Sequence, residues 1–345
     1  MTASAWQADL LDGFEQLVLP LPDAEVAPGE PEGSLRAVLV RPGERPSGRR
    51  AVLYLHGWND YFFQRHLADA WAELGFAFHA LDLRRYGRSW VDGQYLGFTT
   101  QLGDYAEEID RSLDLIMEDH DQVILMGHST GGLVASLYAA HRPGRLAAVV
   151  LNSPWLDLQG SPLVRTLGAP LVKGLGQQLP TAVLKLPDSG FYKRALHTSE
   201  GGEWDYDLTL KSTPAAPIRV GWLRAVLRGH ARIATGLEID CPVLVLCSTR
   251  SDFSRRWSDE LTRADIVLDV EQIAAKATRL GHTVTVVRIV DGMHDLVLSA
   301  EPVRATVFSE LERWLRAYGP EASGDDRGLV TERHPEQPDQ EQHHR

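Results

Sequence analysis

Asp121-Gln122-Val123-Ile124-Leu125-Met126-Gly127-His128-Ser129-Thr130-Gly131-Gly132 is the stretch that decides how the chain is read. Its first half, ending at Leu125, is a short apolar run of the kind that forms a buried strand. After it, Leu133-Val134-Ala135-Ser136-Leu137-Tyr138-Ala139-Ala140-His141 predicts a helix built from small and apolar residues. Gly127-x-Ser129-x-Gly131 therefore sits between a strand and a helix, the setting of a nucleophile elbow. The chain must reverse within a few residues, so Ser129 is expected in a strained backbone conformation. A side chain at 127 or 131 would collide with the neighbouring strand or helix, which is why both positions are glycine. The bend lifts the Ser129 hydroxyl above the sheet and aims the free N–H groups of the following helix at whatever the serine attacks.

Outward from this stretch, strands and helices alternate. Opening strands are expected at 14–20 and 34–40. Apolar runs at 51–55, 76–81, 121–125, 146–151, 242–247 and 283–289 read as strands of a covered, mostly parallel sheet, eight strands in all. Helical spacing is found over 64–74, 102–118, 267–280 and from 302 to about 314. The alternation stops after the sixth strand, at Asn152-Ser153-Pro154. From 155 to about 237 no clear strand is expected, only short amphipathic pieces such as 162–175, 179–186 and 221–232. A segment of this length is too long for a plain loop and is read as an inserted helical cap. The expected organisation is a core of residues 1–154 and 238–318, a cap at 155–237, and a polar, acidic, disordered tail at 319–345.

The 345 residues carry a net charge of −12, which argues against a nucleic-acid partner. The 43% hydrophobic content suffices for a sizeable core. No run of eighteen apolar residues would make a transmembrane span. The first ten residues lack the basic start and apolar block of a signal peptide, so a cytoplasmic location is expected. Cys241 and Cys247, expected on one strand, stand too far apart to pair and are read as buried thiols.

A serine hydroxyl needs a general base, and the base needs an orienting carboxylate. With an elbow serine these follow in the order Ser, acid, His. His294 suits the base: the last strand ends at Ile289-Val290, and Asp291-Gly292-Met293-His294-Asp295 forms the loop after it. His56, His128 and His282 are placed less well. For the acid, Asp252 lies soon after its strand, and Asp265 lies later in Ala264-Asp265-Ile266-Val267-Leu268-Asp269. Asp265 is favoured because it precedes the next helical pattern, whose N-terminus would stabilise a carboxylate. Its spacing to His294 also just fits one helix and one strand. Asp269 is a third choice, one turn into that helix. The two oxyanion donors are expected from the backbone of Thr130 and of Trp58, which follows His56-Gly57 at a strand end. Asp82 and the run 84–89 read as a structural brace.

These residues resemble the α/β-hydrolases of the monoacylglycerol lipase, lysophospholipase and serine aminopeptidase-like group. The resemblance is carried by His56-Gly57, Asp82 to Ser89, Gly127 to Gly132, Asn152-Ser153-Pro154, Ala264 to Asp269 and Gly292 to Asp295. It implies the α/β-hydrolase fold, a triad on Ser129, Asp265 and His294, and oxyanion donors at Trp58 and Thr130. Two features depart from the group: an insertion at 248–263 and the cap segment 202–207. The expected activity is hydrolysis of a small, hydrophobic ester without a metal or organic cofactor. A serine aminopeptidase or acyltransferase on the same fold is the first alternative, and a non-catalytic ligand-binding protein the remote one.

Overall fold

The computed structural model describes residues 5–158, 174, 176–184 and 189–320. Its centre is a nine-stranded sheet in the order β1-β2-β3-β5-β4-β6-β7-β10-β11. The strands are β1 (Gln7–Ala8), β2 (Phe14–Pro20), β3 (Arg36–Pro42), β4 (Arg50–Leu55), β5 (Ala77–Asp82), β6 (Gln122–His128), β7 (Ala148–Asn152), β10 (Val243–Ser248) and β11 (Val284–Ile289). The first three and β5 pair antiparallel, and β5, β4, β6, β7, β10 and β11 run parallel. All eight expected strands are present. The ninth is β1, whose two residues are too few to show a period in sequence.

Alternation along the buried strands divides the core into two faces. Leu53, Leu125, Val149 and Val245 pack beneath α2 (Ala106–Ile116), α3 (Thr130–His141) and α6 (Val270–Ala277). Val52, Ile124, Val150 and Leu244 pack beneath α1 (Arg65–Glu73) and α7 (Glu301–Tyr318). Both faces are covered, so the central strands read as unbroken apolar runs. Each fully buried leucine, valine or phenylalanine contributes about 1.5–3 kcal/mol relative to an exposed one.

Register then sets where the loops emerge. Leu55, Gly127 and Leu151 lie side by side in β4, β6 and β7, and Ser248 lies beside Ile289. The loops after all five strands therefore leave the sheet along one edge, at the carboxyl ends of the strands, where ligands bind in folds of this kind.

Between β7 and β10 runs an insertion with α4 (Phe191–Leu196), α5 (Val220–Ala234) and a small hairpin, β8 (Val183–Leu184) with β9 (Ile218–Arg219). The hairpin corrects the expectation of a strand-free, purely helical segment, and it replaces the expected piece at 179–186 as far as residue 184. Two-residue strands carry no readable alternation. The expected pieces at 162–175 and 185–186, apart from residue 174, and the tail from 321 lie outside the described residues. Cys241 sits in the bend before β10, not on the strand; both cysteines are free and buried. Burial pushes their thiols up, to about 11 for Cys241 and about 12 for Cys247.

Candidate active site

Ser129 sits between the last residue of β6 and the first of α3, with φ 52° and ψ −116°. An L-residue adopts this conformation only where its surroundings enforce it. Here the backbone is pinned on both sides. Its N–H donates to the Asn152 carbonyl at 3.1 Å, and its carbonyl accepts from Leu133 at 3.2 Å and Trp155 at 3.0 Å. The glycines are required sterically. A Cβ on Gly127 would come within 2.5 Å of the Gly131 carbonyl oxygen, and one on Gly131 would run into the carbonyl of His56.

His294 arrives from the loop after β11, and its ring lies between two partners. Its Nδ1 is 2.9 Å from Asp265 Oδ2, and its Nε2 is 3.0 Å from Ser129 Oγ. An ionised carboxylate only accepts, so the proton belongs on Nδ1. Nε2 is then free to accept from the serine hydroxyl. All three residues are buried, Ser129 at 8% exposure, His294 at 2% and Asp265 at 0%.

Asp265 is held differently from the sequence reading. The helix after it starts only at Val270, and its N-cap is Asp269, whose carboxylate accepts from Glu271 and Gln272. Asp265 instead lies in the preceding loop, where its Oδ1 accepts from the N–H groups of Val267 at 2.8 Å and Leu268 at 2.7 Å. Two loop amides thus do locally what a helix end was expected to do. They occupy one carboxylate oxygen and leave the other for His294. Asp252 points elsewhere: its carboxylate accepts from the Ser254 N–H and hydroxyl, and those bonds hold it below the ordinary aspartate range. Asp269, expected one turn inside the helix, is its cap.

Further residues support the histidine loop. Asp295 Oδ1 accepts from Asn152 Nδ2 at 2.7 Å and its Oδ2 from Gln64 Nε2 at 3.3 Å, while Asn152 Oδ1 accepts from the Leu296 N–H at 3.2 Å. These bonds fasten the loop to the end of β7. Gln64 was not singled out from the sequence, and nothing local to it carries such a signal. Asn152 entered the sequence reading only where the strand alternation stops and within the resemblance, not as a partner of Asp295.

On the other side of Ser129, β4 ends in the turn His56-Gly57-Trp58-Asn59. The His56 Nε2 accepts from the Leu83 N–H at 3.1 Å, so its Nδ1 carries the proton and donates to the Gly57 carbonyl at 2.7 Å. The ring thus ties the turn to the neighbouring strand end. The Trp58 indole packs on Trp222 of α5 at 3.9 Å between ring centroids and on Tyr86 at 5.8 Å. Trp155 also meets Trp222, at 5.9 Å. The Thr130 N–H is at the first position of α3, where no intrahelical acceptor exists. Below, Asp82 accepts from the Phe62 N–H, the Arg88 N–H and Arg88 Nη1, bracing this edge as expected.

Asp60, His128 and Asp295 also converge, their polar atoms all within 4.8 Å. The donor set does not suit a metal. Asp60 Oδ1 is 2.8 Å from the Lys211 ammonium, so a positive charge already stands there, and both Asp295 oxygens are bonded to amides.

The strand order, the elbow and the loop placement together define an α/β-hydrolase. Residues 46–297 match the family described as serine aminopeptidase, S33, and the chain belongs to that family. Among its relatives, the monoacylglycerol lipase of Mycolicibacterium smegmatis is 30% identical over 109 residues, 31% of this chain and 38% of the relative. The phospholipase YtpA of Bacillus subtilis is 29% identical over 110 residues, 31% of this chain and 41% of the relative. The chain thus spans about two fifths of the length of these curated relatives. Among solved structures, the monoacylglycerol lipase of Paleococcus ferrophilus superposes with a TM-score of 0.60 at 20% identity, covering 82% of this chain and 99% of that one. A soluble variant of the Saccharomyces cerevisiae monoglyceride lipase, in complex with a substrate analogue, also gives 0.60, at 15% identity with 93% and 97% covered. At these identities the superpositions speak for the fold. Among the described residues no helix is long and apolar enough to cross a membrane.

Proposed function

We propose that the protein is a serine hydrolase cleaving carboxylic esters with an apolar acyl group, of monoacylglycerol or lysophospholipid type. The observation that carries this reading is the unbroken relay from Ser129 through His294 to Asp265, with contacts of 3.0 and 2.9 Å. Ser129 Oγ attacks the acyl carbonyl while His294 Nε2 takes its proton. Asp265 stabilises the imidazolium through Nδ1. The N–H groups of Trp58 and Thr130 receive the oxyanion, worth about 3–4 kcal/mol per donor in comparable sites. His294 then protonates the leaving alcohol, and water releases the acyl group by the same steps in reverse. The half-buried tryptophans at 58 and 155, backed by the buried Trp222, offer apolar surface for an acyl chain. The relatives named as monoacylglycerol lipase and phospholipase favour the same substrate class.

The family description favours a second reading, an aminopeptidase, which needs a carboxylate in the insertion to hold a substrate amine. The four carboxylates of residues 200–207 are otherwise engaged or exposed. Glu200 pairs with Lys193 and Glu203 with Arg304, Asp207 accepts from Thr209, and the Asp205 side chain is 90% exposed. The ester reading is therefore preferred. A panel of p-nitrophenyl esters against aminoacyl-p-nitroanilides separates the two. Ester turnover that Ser129→Ala abolishes, together with loss of fluorophosphonate labelling in that variant, supports the proposal. A wild type that stays unlabelled while other serine hydrolases react would refute it.

A further inference from the structure

The turn that offers the Trp58 N–H is tied to the insertion more than to the sheet. His56 is bonded to Leu83 and the Phe62 N–H to Asp82. Between them, apart from the His56 ring on the Gly57 carbonyl, the hydrogen bonds found among the described residues that leave the turn 57–61 run to residues 207–216. Asn59 Nδ2 donates to the Ser212 carbonyl at 2.9 Å, and Asn59 Oδ1 accepts from Ser212 Oγ at 2.6 Å and the Ala216 N–H at 3.2 Å. Lys211 Nζ donates to Asp60 Oδ1 at 2.8 Å. The Tyr61 hydroxyl accepts from the Asp207 N–H at 2.9 Å. Asn59 itself has φ 52°, so the backbone next to Trp58 is held in the left-handed region. The Lys211 ammonium is enclosed by the rings of Phe63, Tyr192 and Tyr206 at 5.3–5.5 Å. Both Lys211 and Asp60 are buried.

From this arrangement we infer that Lys211 and Asn59 are positioning residues for the oxyanion donor, and that segment 207–216 moulds that half of the oxyanion hole. The inference rests on the proposed serine-hydrolase reading, in which the Trp58 N–H binds the oxyanion. Neither residue touches the reacting atoms. Each acts through the backbone of residues 57–61, and an oxyanion donor displaced by about 1 Å loses much of its effect. The insertion would then contribute to the chemical step as well as to the covering of the site.

The test uses the full chain. Hydrolysis of p-nitrophenyl butyrate by the parent protein is measured first; its absence would sink the hydrolase reading, and amide exchange alone would then decide whether the clamp exists. Asn59→Gly keeps the backbone freedom and removes three bonds. Lys211→Met leaves a buried charge that endangers folding, so it is paired with Asp60→Asn. Both variants are expected to speed hydrogen exchange in peptides spanning 57–61. They are also expected to lower kcat roughly 10- to 100-fold. In a Ser129→Ala background, the Kd of the uncleaved ester is expected to stay within about twofold, since ground-state binding does not use the donor. Unchanged exchange would overturn the inference. So would faster exchange with unchanged kcat, or a Kd that weakens as much as kcat falls.

Discussion

At the residue scale the site turns on two carboxylates that the sequence offers in similar loops. Asp265 is fully buried with one oxygen on two backbone amides and the other on His294. Asp252 stays at the surface with Ser254. Asp265→Asn should lower kcat by about 10⁴, because an amide there favours the wrong imidazole tautomer. Asp252→Asn should leave kcat within about twofold. Steady-state ester hydrolysis by the two variants checks both. The glycine at 127 was legible because its reason is local, the Gly131 carbonyl four residues on, whereas Gly131 is kept bare by the His56 carbonyl at the end of a neighbouring strand and was legible only from the strand-turn-helix setting. The order of serine, acid and histidine was legible because topology fixes it. The way Asp265 is held was not, because the loop amides at 267 and 268 acquire their direction only from tertiary packing. The same holds for Gln64 and Lys211, whose partners lie 231 and 151 residues away.

Among the elements, the parallel strands β4, β6, β7 and β10 were the easiest to read, since burial on both faces writes a continuous apolar run. The strands β1, β8 and β9 escaped because two residues have no period. The boundary of α6 was misplaced by three residues, for Val267 and Leu268 continue its apolar pattern although their amides turn toward Asp265. The true cap is Asp269. Its replacement in Asp269→Ala should cost about 1 kcal/mol of stability, read as a lower urea midpoint. Turnover should change little if the Asp265 loop keeps its shape.

For the whole molecule, stability depends on buried charges that tie distant parts of the chain together. The Asp9 carboxylate sits against Arg88, which also holds Asp82, so the start of the described chain is tied to the edge of the sheet. Asp9→Ala should destabilise the protein by about 3 kcal/mol through a half-compensated guanidinium, checked by thermal or urea unfolding. Two buried histidines set an acid limit. Burial pushes His79 down to about 3 and His230 to about 4. His230 Nε2 donates to the Trp155 carbonyl, and its Nδ1, without a partner among the described residues, has nowhere to place a second proton. Between pH 6.5 and these lowered values the unfolded chain binds more protons than the folded one. The stability is thus complete above about 6.5 and is lost as pH falls toward 4, by on the order of 3 kcal/mol per histidine. Urea midpoints should be nearly equal at pH 8 and 6.5 and fall at pH 5 and again at pH 4, and His230→Asn should flatten the decline. Finally, the only two cysteines, Cys241 and Cys247, are sealed inside the protein with their thiols strongly protonated at neutral pH. The native chain is therefore a silent background for maleimide chemistry. A single cysteine introduced at exposed Phe253 would take a dye or spin label alone, giving a spectroscopic view of the folded protein at work without stripping out its natural thiols.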